Sequence, residues 1–479
     1  MPQAKNKWLT FLIVAMGVFM STLDSSMVNI ALPTIMKDFH SSLKNTEWVV
    51  MIYLLTITAS LLFWGHLSDR LGRSKIYTSG MLTFGLGSLA CAYSPSLLIL
   101  IFSRLVQALG AAMMMATGPA IIKETFPKEQ LGRGLGLIGV AVSLGLMSGP
   151  SLGGVLLEFY SWHALFLITV PIGLVFAVLA FNHLPGPVKH FSSPLDWLGA
   201  LSWAAALILF SMAITHATAV DWSAAKLVTA FILGGLALAC FIKIETMVPH
   251  PLLHLELFKK RYFSMAILSA TLSFAVLFAV IMLTPFYLDR ILQLPPSQIG
   301  LVMLAIPSSI LVVGPVAGWL SDYVGARLLT TLGLAVATCG VFLLTRLEPT
   351  STPLDIAARL VMLGFGQAMF LSPNSASILA KAGKTQAGAA SALLATARNL
   401  GMLLGIAQAA LLFSLYFGSL TNGLDMKDFT GNHTDAFMVA LKNAFCGAGI
   451  TGIIGVIASL LRGNSTRDKQ DAAEQTPDR

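Results

Sequence analysis

About fourteen runs of roughly twenty apolar residues, separated by short polar turns, constrain this chain more than any other feature of its sequence. Lipid offers the backbone no hydrogen-bond partners, so each run must satisfy its own amides, and at this length an α-helix does so. The expected fold class is an all-α integral membrane protein with about 14 transmembrane helices. Composition agrees, with 56% hydrophobic and 11% charged residues, against about 25% charged in soluble domains. The net charge of +8 is scattered in short clusters between the runs, so a nucleic-acid groove is not expected. Roughly two thirds of the Lys and Arg residues fall on the side that holds both termini, which the positive-inside rule makes the cytoplasm. Cys91, Cys240, Cys339 and Cys446 lie inside apolar runs without metal-ligand or disulfide spacing, so no metal is expected.

The runs also repeat. Gly65, Leu67, Ser68, Asp69 and Gly72, at the end of the second run, recur at an offset of 253 as Gly318, Leu320, Ser321, Asp322 and Gly325. Arg104, Leu105 and Val106 in the fourth run recur at an offset of 255 as Arg359, Leu360 and Val361. Two matches at nearly one offset predict two six-helix halves, at 1–185 and 251–462. A two-helix insert at 186–250 and a disordered cytoplasmic tail at 463–479 complete the division. Tandem halves around a midplane site are a design of secondary transporters, in which one half rocks against the other.

Asp24 is the acid that such a chain must explain. It lies about sixteen residues into the first run, roughly 24 Å at 1.5 Å per residue. A charge at the bilayer centre costs about 2.5–3.5 kcal/mol on insertion scales, so it usually faces a cavity and marks an ion or proton path. Depth alone leaves an interfacial cap open. Arg104 is the natural electrostatic partner, although spacing cannot pair residues on separate helices.

Four stretches resemble the major facilitator superfamily, specifically its fourteen-helix drug:proton antiporter branch. Leu23, Asp24, Asn29, Ala31, Leu32 and Pro33 match the helix 1 signature, with Ser26 and Met27 standing where Thr and Val are usual. Gly65, Asp69, Arg70, Gly72 and Arg73 match the loop between helices 2 and 3, and Asp322, Gly325 and Arg327 keep part of it in the second half. Gly145, Gly149, Pro150, Gly153 and Gly154 are similar to the antiporter motif of helix 5, where small residues permit close helix approach and proline favours a kink. Arg104 and Gln107 resemble the helix 4 motif, with Ala108 in place of a glycine.

The resemblance implies a multidrug efflux transporter of the bacterial inner membrane, with Asp24 and Arg104 in proton coupling and the loop residues in gating. No cofactor is implied beyond the proton as coupling ion. Met27, Asn29, Tyr53, Gln107, Met114, Phe286 and Met303 are the expected cavity walls, thioether and aromatic groups being adaptable to varied apolar ligands. Partners would be a small-molecule substrate, membrane lipid and, left open, a periplasmic adaptor protein, with no nucleic acid. A dedicated exporter of one metabolite, antibiotic, siderophore or lipid is the close alternative, and an uncoupled channel or sensor the distant one. An enzyme is not expected, since no H-E-x-x-H pattern and no paired intramembrane acids occur.

Overall fold

The computed structural model describes residues 7–127, 131–184, 196–215, 224–248, 251–253 and 255–463. The tail expected at 463–479 lies outside these residues except for Gly463. Among the described residues all regular structure is helical. In chain order the α-helices are α1 (Lys7–Asp38), α2 (Leu43–Thr46), α3 (Trp48–Leu71), α4 (Arg73–Ala92), α5 (Leu97–Thr125), α6 (Leu131–Phe159), α7 (Trp162–Leu167), α8 (Thr169–His183) and α9 (Trp197–Thr215). They continue with α10 (Ala224–Met247), α11 (Glu256–Lys259), α12 (Arg261–Arg290), α13 (Pro296–Met303), α14 (Ala305–Val324), α15 (Ala326–Leu344), α16 (Pro353–Leu420) and α17 (Thr434–Leu460).

Twelve spans among the described residues are long and apolar enough to cross a membrane, two fewer than the sequence runs suggest. The difference lies in α4 and α6. Arg73, Lys75 and several small polar residues dilute α4, whereas α6 is apolar along its length and the stretch of it counted among the described residues is Leu144–Phe159. A second difference is α16, which is helical throughout its 68 residues where a loop is expected near 380–387. That stretch is rich in Ala, Lys and Gln, which are good helix formers, and it contains no proline.

Helix α1 packs along α6, α5 and α8, while α4 lies against α5 and α8. Similarly, α12 packs along α16 and α17, and α15 along the same two. The α9–α10 pair packs on itself, with α9 touching α3 and α16.

Glycines show how closely the two sets correspond. A methyl group at Gly80 would meet Gly110 O at 2.9 Å and Met113 Cβ at 2.7 Å; at Gly333 it would meet Gly366 O at 2.7 Å and Met369 Cβ at 2.8 Å. Each α3–α4 and α14–α15 junction turns on a single glycine, Gly72 at φ 100° and Gly325 at φ 90°, in a backbone region that side chains rarely adopt.

These contacts pair α5 with α16 at an offset of 256, as Gly110 with Gly366, rather than 255. Arg104 therefore corresponds to Leu360, and the apparent Arg104–Arg359 match is one residue out of register. One residue rotates a side chain by about 100° around a helix. Arg359 accordingly sits at a partly exposed position, paired with Asp355 at 2.7 Å and donating to Leu343 O at 2.9 Å.

Candidate functional site: a buried ion pair in the first half

Asp24 sits mid-helix in α1 with no solvent exposure, and Arg104 and Gln107 project one turn apart from one side of α5, equally buried. Arg104 Nη1 donates to Asp24 Oδ2, and to Gln107 Oε1 at 2.6 Å. Gln107 Nε2 donates to Asp24 Oδ1 at 2.9 Å and to Ser88 Oγ of α4 at 2.8 Å. Arg104 Nε donates to Val49 O of α3 at 3.0 Å.

The Tyr53 ring covers the guanidinium at 4.1 Å, and the Tyr53 hydroxyl reaches Ser21 Oγ at 3.0 Å. Four helices thus converge on one carboxylate, and both of its oxygens accept a hydrogen bond. One donor, Arg104 Nη2, is left without a partner. An ion pair in so dry a place is stable only while its geometry holds, because desolvation of either charge alone costs several kcal/mol. Neutralising Asp24 would thus free Arg104 and Gln107 from their shared acceptor.

The cavity residues expected from sequence divide between two environments. Tyr53 and Gln107 belong to the charge cluster. Met27 lies under Gly153, and Met114 against Gly17 and Gly80. Phe286 and Met303 are buried in the core, at 0% and 2% exposure. Asn29 donates to Ser25 O at 2.7 Å, and its Oδ1 has no partner. None of the seven lines either of two end clefts of about 390 and 490 Å³.

The loop residues form a local tie. Arg73 bonds Asp69 at 2.8 Å and Glu124 of α5 at 2.7 Å, while Arg70 is exposed. In the second copy Arg327 donates to Leu460 O at 2.6 Å, and the side chain of Asp322 lies outside the described residues. Gly65 has open space around it.

Gly145 and Gly149 bring α6 against α1, where a methyl group would meet Phe19 O at 2.7 Å and Ser26 Cβ at 2.4 Å. Gly154 and Pro150 instead meet α13. A methyl at Gly154 would lie 2.5 Å from Pro296 O, and one at Gly300 2.3 Å from Pro150 O.

That seam belongs to a closure the sequence reading did not find. At the same end of the bundle Lys37 of α1 bonds Asp289 of α12 at 2.8 Å, Ser297 N donates to Glu158 Oε2 at 3.2 Å, and Leu43 N donates to Asp425 Oδ1 at 3.2 Å. At the opposite end the ties of Arg73 stay within the first set of helices. Nothing in the local spacing of Lys37 or Asp289 signals this contact.

A bundle of membrane-crossing helices with two matched packing sets and a buried acid–base cluster defines a multi-pass membrane transporter. The chain belongs to the Major Facilitator Superfamily, whose family model matches residues 14–406. It is 36% identical over 461 residues to the riboflavin transporter RibZ of Clostridioides difficile (strain 630), covering 95% of this chain and 97% of that protein. It is 30% identical over 429 residues to the methyl viologen resistance protein SmvA of Salmonella typhimurium, covering 88% of this chain and 86% of that one. Among solved structures it is similar in fold, at a TM-score of 0.71 and 15% identity, to a bacterial homolog of the human lysosomal transporter Spinster in an inward-facing and unoccupied conformation. That match covers 95% of this chain and 96% of the other.

Proposed function

We propose that this protein exports amphipathic, neutral or singly cationic small molecules in exchange for protons, by alternating access in the bacterial inner membrane. The observation that carries the reading is the fully buried Asp24 carboxylate, held by Arg104 and Gln107. In this cycle a proton reaches Asp24 from the outer side, Arg104 and Gln107 lose their anionic acceptor, and α1 shifts against α5. Release of the proton to the cytoplasm restores the cluster.

Both termini are cytoplasmic in this scheme, so the Lys37–Asp289 end faces outward and is closed, and the Gly72 end faces the cytoplasm. The chain crosses fourteen times once α4 and α6 are counted. Support for counting them comes from their packing alongside spanning helices, α4 on α5 and α6 on α1.

The test is substrate extrusion from energised cells or vesicles that lack other pumps. Asp24→Asn is expected to reduce gradient-driven export at least about tenfold while binding persists, and dissipating the proton gradient should do the same to the unmutated protein. Wild-type export by Asp24→Asn would sink the coupling assignment. A second reading, a dedicated exporter of one metabolite, draws on the 36% identity to a riboflavin transporter. A panel of chemically unrelated compounds separates the two, since a dedicated exporter moves only one class.

A further inference from the structure

The end of α17 gathers arginines from three places in the chain. Arg462 follows that helix directly and is 1% exposed. Its Nη1 donates to Asn374 Oδ1 of α16 at 2.7 Å, and its Nη2 to the Tyr262 hydroxyl of α12 at 2.7 Å and to Ser377 Oγ. The Tyr262 ring centroid lies 4.1 Å from the guanidinium carbon. Every one of these partners is neutral, and Nε of Arg462 has no hydrogen-bond partner. A buried guanidinium among neutral groups keeps its charge uncompensated, which desolvation makes costly.

Two further guanidiniums meet the same helix end. Arg261, beside Tyr262, donates through Nε to Leu461 O at 2.9 Å, and Arg327 at the start of α15 donates through Nη2 to Leu460 O at 2.6 Å. Guanidiniums on the final carbonyls cap the helix and offset the negative end of its dipole. Arg261 uses only Nε in this way. Among the described residues its two terminal nitrogens bond nothing, and it is exposed, as are Lys259 and Lys260 before it. No carboxylate among the described residues pairs with Arg261 or Arg462. Beside this basic rim the side chains of Leu328, Ile457, Leu460 and Leu461 are about half exposed, an apolar face that acyl chains would cover in a membrane.

We propose that Arg261 and Arg327, backed by the buried Arg462, hold the phosphate of an anionic phospholipid of the cytoplasmic leaflet where α12, α15 and α17 meet. The terminal nitrogens of Arg261 offer paired N–H donors to the phosphate oxygens, the fork geometry in which guanidinium binds phosphate bidentately. The acyl chains lie along the apolar face at Ile457 and Leu460. A phosphate at this rim supplies the negative charge that the neutral partners of Arg462 do not. A net-negative headgroup is preferred to a zwitterionic one, whose own ammonium would be brought to a rim that is already positive. The lipid thereby ties the first helix of the second half to its last. The site rests on the membrane-crossing orientation proposed above and is independent of coupling at Asp24.

The test uses the full chain in detergent micelles, with bound lipid read by native mass spectrometry as phosphatidylglycerol or phosphatidylcholine is added. Phosphatidylglycerol should bind at least about tenfold more tightly than phosphatidylcholine, and millimolar inorganic phosphate should not displace it. Arg261→Gln and Arg327→Gln should each lower that ratio about fivefold, and the double variant should bind the two lipids alike. Arg261→Lys, which keeps the charge and loses the paired donors, should fall between. Lys427→Gln at the opposite end removes the same charge and should leave the ratio unchanged. A lost helix cap by itself would weaken both lipids equally, so the ratio separates binding from packing. A preference that survives the double variant, or displacement of phosphatidylglycerol by millimolar phosphate, would overturn the lipid site. Equal binding of the two lipids by the parent chain would do the same, and a preference that then appears once Asp468, Asp471 and Glu474 are neutralised would give the site to those acids instead.

Discussion

Around Gly110 and around Gly366 the backbone repeats itself almost atom for atom. A methyl group at Gly110 would meet Phe84 N at 2.3 Å and Gly80 O at 2.5 Å; at Gly366 it would meet Ala337 N at 2.3 Å and Gly333 O at 2.5 Å. What surrounds the two contacts is not repeated. In the register these glycines set, Arg104 becomes Leu360, Gln107 becomes Leu363, and Ser88 becomes Val341, all of them buried. Nor does α12 offer an acid in its interior, the first one being Asp289 near its end. One arrangement of helices therefore tolerates either an apolar filling or a dry ion pair. In the second set of helices the same packing carries apolar residues at the corresponding positions.

The largest expected effect comes from breaking this asymmetry by halves. Arg104→Leu alone strands the Asp24 carboxylate and should cost about 3–5 kcal/mol, read as a large drop in the thermal midpoint of the purified protein. Adding Asp24→Val and Gln107→Leu copies the apolar pattern of the second half and should recover most of that loss, since buried pairs replaced by apolar groups are often neutral or stabilising. Gradient-driven export should stay absent in the triple variant. If the triple variant is no more stable than Arg104→Leu, the ion pair contributes to folding in a way the second half does not reveal.

Much of this asymmetry was legible in the sequence. The apolar runs specify helices because lipid leaves the backbone no other choice, and Gly72 with Gly325 marks the repeated turn because that φ suits few other residues. The two positions of Asp24 and Arg104 are unusual by their cost alone. Three features were not legible. The register between α5 and α16 was read one residue out, because three matching letters weigh less than a backbone contact that only coordinates reveal. That Gln107 bonds Asp24 and Ser88 was hidden because a side chain's direction around a helix depends on which neighbours surround it. The Lys37–Asp289 contact joins residues far apart in the chain, and no local pattern carries such a pairing.

A middle-sized effect tests the repeat itself. Gly110→Ala and Gly366→Ala should destabilise about equally, by roughly 1–3 kcal/mol, because each added methyl group lands on a backbone amide that cannot move independently of its helix. Gly65→Ala and Gly85→Ala, with open space around the new methyl group, should stay close to the parent protein. Thermal melts of the four variants decide the matter. A clearly milder result at Gly366 would mean that the apolar half yields where the ionic half does not, and the backbone correspondence would then be geometric without being mechanical.

The smallest effect concerns the end where the two halves touch. Lys37 and Asp289 form a close bridge, yet the lysine side chain is 49% exposed, so water and salt screen much of the attraction. Exposed pairs are worth about 0–1 kcal/mol, and Lys37→Ala should leave the thermal midpoint nearly unchanged. It should still matter for conformation, because a two-state equilibrium responds in proportion to the difference in free energy between its states, and this contact exists only while that end is closed. A loss of about 0.7 kcal/mol shifts such an equilibrium roughly threefold. Distance measurements between spin labels placed near the Lys37 end of α1 and the Asp289 end of α12 should show a larger open fraction in Lys37→Ala, and the shift should shrink as salt is raised for the parent protein. An unchanged distance distribution would place the closure in the α6–α13 backbone seam at Gly154 and Gly300, where neither charge nor salt has any hold.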